Sequence, residues 1–128
     1  MGMDRTVRFP GAVPEYPAVR DLLAKHSMPV QVRMIDGQLA FPDEMPGPDW
    51  QELRLGTAAG MVTVRRTGAE IACVTWGNAD AGALQLWNAI AWAFAAAGAG
   101  EVLGPGGPLS AADFARSVNL STGQEPQP

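Results

Sequence analysis

The chain has 128 residues, 47% of them hydrophobic and 17% charged, enough for one soluble globular domain with a real core and too few for two. A net charge of -4 argues against nucleic-acid binding, which needs clustered Lys and Arg against phosphates, and the longest basic run is Arg65-Arg66. The single cysteine, Cys73, excludes an internal disulfide and every zinc pattern built on paired cysteines, so the default compartment is the cytoplasm.

Residues 1 to 13 read as an irregular N-terminal arm, because Pro10, Gly11 and Pro14 interrupt regular structure. No apolar run of signal-peptide length occurs there. Gly2 with Thr6 matches the short myristoylation pattern M-G-x-x-x-[ST], which a Met-Gly added ahead of Met3 would also produce. From Glu15, Tyr16, Val19, Leu22 and Leu23 recur at spacings of three and four, which predicts an amphipathic helix to about His26, with Pro17 in its first turn.

VQVRMI, residues 30 to 35, alternates apolar and polar side chains, and Asp36-Gly37 is the favoured pair for a two-residue hairpin turn into QLAF. PDEMPGPDW, residues 42 to 50, carries three prolines and is expected as an exposed loop. WQELRLG, MVTVRR and EIACVTW are short, rich in β-branched residues and separated by glycine-bearing turns, which predicts consecutive antiparallel strands. The third is apolar on both alternating faces, so it belongs inside the sheet, covered on both sides at least in part.

Asn78 or Asp80 can cap the long helix that follows, and Gly98 or Gly100 can stop it. EVL reads as a brief strand, GPGGP as a stiff turn and SAADFARSV as a final helix with Ser110 and Asp113 at its start. Residues 119 to 128 read as a disordered tail, leaving 14 to 118 as the domain. The expected class is α+β: an antiparallel meander of about five strands with an N-terminal helix and a long uncharged helix packed on it. This layout resembles small α+β binding folds such as the type III secretion chaperones, a likeness of arrangement that assigns no residue a role.

The long helix holds the informative feature. At 100° per residue, Leu84, Leu86, Trp87, Ile90, Ala91, Phe94 and Ala97 share one arc, which is core, at about 2 kcal/mol for each fully buried large side chain. Gln85, Asn88, Ala89, Trp92 and Ala96 form the other arc, and residues 81 to 100 carry no charge, so this arc too is expected to be covered: by the chain's own first helix or C-terminal segment, by a second copy, or by another protein. Gln85, Asn88, three glycines and the lack of flanking Lys or Arg count against a membrane span.

Chemical sites are weak by comparison. His26 and Cys73 are the one histidine and one cysteine, but a mid-strand cysteine among apolar residues is expected to be an inert buried thiol. Asp43, Glu44 and Asp49 lack the ligand spacing of a calcium loop. Pro105 and Pro108 remove backbone donors that a phosphate cradle in GPGGPLS would need. Nothing in the spacing brings Asp80, Glu52 and Glu70 together as catalytic acids.

The sequence therefore points to a non-enzymatic protein-interaction module, chaperone-like or an adaptor, forming a homodimer or holding a protein partner through Gln85, Asn88, Ala89, Trp92 and Ala96. The alternative is a small-molecule binder or enzyme with a pocket at the strand-to-helix junction, lined by Trp76, Asn78 and Asp80. No cofactor, metal, nucleic acid or membrane span is expected on either reading.

Overall fold

The computed structural model describes residues 2–41, 44–58, 60–77, 80–104 and 106–120. In chain order they form β1 (Gly2–Arg8), α1 (Tyr16–Lys25), β2 (Gln31–Ile35), β3 (Gln38–Leu39), β4 (Glu52–Thr57), β5 (Gly60–Thr67), β6 (Glu70–Trp76), α2 (Ala81–Gly98), β7 (Glu101–Gly104), β8 (Gly107–Ser110) and α3 (Ala111–Ser117). The eight strands make a single antiparallel sheet in the order β3-β2-β4-β5-β6-β1-β7-β8.

The class is the α+β one expected, but the sheet has eight strands rather than about five. Of the three beyond the five-stranded meander, β7 is the brief EVL strand expected from the sequence, and β8 is the other arm of its hairpin around the glycine-rich turn. The third is β1, in the stretch read as an irregular arm. It pairs with β6 over its whole length, from Gly2 opposite Trp76 to Arg8 opposite Glu70, and with β7 on its other side. The prolines interrupt structure only after residue 9, and the strand before them has two apolar side chains, Met3 and Val7, with the charged Arg5 between them on the same face, so its alternation is faint in the sequence.

The β2–β3 hairpin forms as Asp36-Gly37 requires, both residues taking positive φ (50° and 85°) in a turn that suits the twist of the strands. Asp36 adds a tie: its Oδ1 accepts from Gln51 N–H at 2.7 Å and from Glu52 N–H at 2.9 Å. Those bonds hold the carboxyl below the usual aspartate range. Of the acidic proline loop, Pro42 and Asp43 lie outside the described residues, and Trp50 at its end is buried rather than exposed. Its ring packs edge-on to Phe94 and beneath the Arg66 guanidinium, 4.5 Å away, which turns the loop's end inward.

All three helices sit on one face of the sheet. On that face Val7, Leu53, Leu55, Val62, Val64, Ile71, Cys73 and Val102 are buried in one core with α2, whose Leu86, Trp87, Ile90, Ala91 and Phe94 are buried as expected of the core arc. Trp87 Nε1 donates to the Cys73 carbonyl at 2.7 Å and pins α2 to β6. Asp80 caps α2, its Oδ1 accepting from Ala83 N–H at 2.9 Å. Ala99, not a glycine, takes the left-handed C-cap at φ 53°. Gly100 is needed for a different reason: a Cβ there would stand 2.8 Å from the Arg8 carbonyl oxygen. α1 packs beside α2 toward the β2 end, and α3 beside it toward β7 and β8, with Ser110 capping α3 as expected. Asn119 and Leu120 are described and Leu120 is buried, so the fold runs past the expected tail boundary; residues 121–128 are not described.

Candidate functional site

The structure splits the five residues of the uncharged arc. Trp92 is 7% exposed, with His26 from the end of α1 meeting its ring edge-on at 4.9 Å between centroids. Ala89 is buried as well. Asn88 is half-buried and turns toward β1, where its Oδ1 accepts from Arg5 Nε at 2.9 Å. Only Gln85 and Ala96 are exposed. What covers Trp92 is thus the chain's own first helix. A helical wheel cannot distinguish a neighbouring helix from a second molecule, because both demand the same missing charges.

The junction residues are likewise separated. Asp80 is occupied in capping, and Asn78 lies outside the described residues. Trp76 is 69% exposed and, by strand alternation, projects from the face opposite Ile71, Cys73 and Thr75, away from the helices. It does not line a sheet–helix junction. It borders a shallow groove of about 310 Å3 on the helix-free face, walled by Arg54, Met61, Thr63, Arg65 and Val74.

This face is the surface that sequence reasoning did not isolate. Every large apolar side chain that is exposed on a described strand lies on it: Leu39, Met61 and Trp76. Exposed apolar side chains gathered on one side of a domain mark contact surfaces, whereas scattered ones carry no message. The signal was in β6, whose two faces are both apolar: Ile71 and Cys73 are covered by α2, while Ala72, Val74 and Trp76 have no helix over them.

The register arranges charge on this face in a definite way. Reading across the sheet, Arg54 on β4 lies opposite Thr63 on β5, Thr63 opposite Val74 on β6, and Val74 opposite Asp4 on β1. Among the described residues Arg54 and Asp4 form no ion pair, and Arg54 Nε is buried with no hydrogen-bond partner. The neighbouring cation, Arg65, is satisfied by Glu52 at 2.9 Å.

Cys73 and His26 do not form a reactive pair. The thiol is completely buried and burial pushes its pKa up to about 12, so it is protonated at neutral pH. The imidazole packs on Trp92, with its Nδ1 unpartnered among the described residues. Among the described residues no three His, Cys, Asp or Glu side chains converge as metal ligands, and no helix is long and apolar enough to cross a membrane. No family model, curated protein or solved structure matches the chain.

Proposed function

We propose that this chain is a non-enzymatic interaction module that self-associates through the helix-free face of its sheet, with a twofold axis running along the strands between β5 and β6. The observation that carries the reading is a cation and an anion, each without an ion-pair partner among the described residues, at mirrored positions: Arg54 one strand outside that axis and Asp4 one strand outside it on the other side, in the same cross-strand row.

A twofold axis there sets Arg54 of one copy against Asp4 of the other, twice. It also sets Thr63 against Val74, and Met61 against Trp76, so the apolar pair packs on itself at one end. Strands are spaced about 4.8 Å, which puts Arg54 and Asp4 roughly 7 Å from the axis; the usual 30° angle between packed sheets displaces them by about 4 Å, within an arginine's reach. Edge-to-edge association is disfavoured, since β3 is two residues long and β8 carries Pro108.

Sedimentation velocity over a concentration series tests the reading. Asp4→Arg and Arg54→Glu should each weaken the dimer at least tenfold, roughly the 1.4 kcal/mol or more that like charges at a contact cost. The double variant should restore it, because it exchanges the partners rather than removing them. A chain that stays monomeric at about 100 μM, where even a weak specific dimer populates, would sink the proposal.

A further inference from the structure

On the helix side of the sheet, at its β1, β7 and β8 end, a second arrangement has no structural partner. Arg5 lies on the same face of β1 as the buried Val7, and its guanidinium carbon stands 4.2 Å from the centroid of the Trp87 ring and 5.0 Å from that of Phe114. The two rings and the Asn88 amide, bonded to Nε, fix the guanidinium in position. Among the described residues no carboxylate pairs with it and its two terminal nitrogens make no hydrogen bond.

A half-buried cation without a counter-ion is costly, and burial holds the Arg5 pKa below the usual arginine value. Beside it opens a cavity of about 290 Å3. Val102, Leu109 and Phe114 supply its apolar walls, and Gly106 and Gly107 of the β7–β8 turn border it with bare backbone. A Cβ on Gly106 would meet no atom within 4 Å, so the turn leaves the space beside it clear.

From these we infer that the cavity binds a small apolar monocarboxylate, its two oxygens on the terminal nitrogens of Arg5 and its body against Val102, Leu109 and Phe114. The planar guanidinium fork matches a carboxylate in two parallel hydrogen bonds, and the flanking rings keep that plane from rotating. The walls select against a bare inorganic anion, which gains nothing from apolar contact. The volume is at the lower end of ligand pockets, which run roughly from 300 to 1,000 Å3, and so suits a compact acid the size of benzoate or hexanoate. The site lies on the face opposite the self-association surface, so either assignment can fail without the other.

Calorimetric titration of the full chain with benzoate, hexanoate, benzamide and inorganic phosphate tests the assignment. Benzoate or hexanoate should bind at least tenfold more tightly than benzamide or phosphate, the difference expected for a charge-assisted, bidentate pair. Arg5→Met should weaken binding by at least tenfold. Because that variant also alters the ring contacts, Leu109→Trp provides a second arm: it fills the cavity, leaves Arg5 in place, and should abolish binding while the circular dichroism spectrum is retained. The inference is overturned if benzamide binds as well as benzoate, if phosphate competes equally, or if no carboxylate gives heat up to about 10 mM.

Discussion

Truncating Trp76 and Trp92 to alanine, one at a time, should give opposite phenotypes. Trp92 is 7% exposed and backed by His26, so Trp92→Ala removes a buried indole and leaves a cavity, at a cost of about 3 to 4 kcal/mol. Against a total stability of roughly 5 to 15 kcal/mol that is a large fraction, and at about 4 °C per kcal/mol for a domain near this size it lowers Tm by about 12 to 16 °C. Trp76 is 69% exposed, so Trp76→Ala should change monomer stability by no more than about 0.5 kcal/mol. Its effect should fall on association: an aromatic that anchors an interface typically contributes 2 kcal/mol or more, about thirtyfold in dimer dissociation constant. Urea melts at low protein concentration report the first quantity and sedimentation velocity the second. If Trp92→Ala dissociates a dimer while leaving the urea midpoint unmoved, or Trp76→Ala unfolds the chain, the assignment of the two tryptophans to core and surface is refuted.

Three further outcomes follow from local geometry. Gly100→Ala should destabilise by more than 1 kcal/mol, because its Cβ would meet the Arg8 carbonyl, whereas Ala99→Gly should stabilise by up to about 1 kcal/mol by relieving a left-handed residue; thermal melts of the two neighbours check the contrast. The Asp36 carboxyl is held below its ordinary value of 3.8 by two backbone donors, so its contribution is present above that pH and is lost as pH falls through the lower folded value. Asp36→Asn should therefore be less stable than the parent at neutral pH, and acid titration of the urea midpoint should show the gap closing below about pH 4. Cys73, with its pKa near 12, should resist a chromogenic thiol reagent in the native state and react at the rate of global unfolding; rapid native labelling would contradict its burial.

Reading the chain alone recovers what depends on neighbours in sequence. The α1 spacing, the Asp36-Gly37 hairpin, the three central strands β4 to β6, the α2 core arc and the caps at Asp80 and Ser110 all form as their residues predict, since propensity, turn chemistry and periodicity are local. β1 is lost to that reading because its evidence is the company it keeps: five of its seven residues, all but Met3 and Val7, look ordinary for a polar arm until pairing with β6 and β7 consumes their backbone groups.

The site divides along the same line. That residues 81 to 100 carry no charge on either arc, and that β6 is apolar on both faces, are facts of composition and period, and they mark two surfaces of this protein as suited to contact rather than to water. Which surface is hidden by what is not a local property. α1 comes from 60 residues and more upstream to close over Trp92, while among the described residues no helix lies on the far side of the sheet, and so Trp76 is 69% exposed. The mirrored positions of Arg54 and Asp4, 50 residues apart in the chain, exist only through four strands in register, since cross-strand distance is fixed by sheet order rather than by sequence separation.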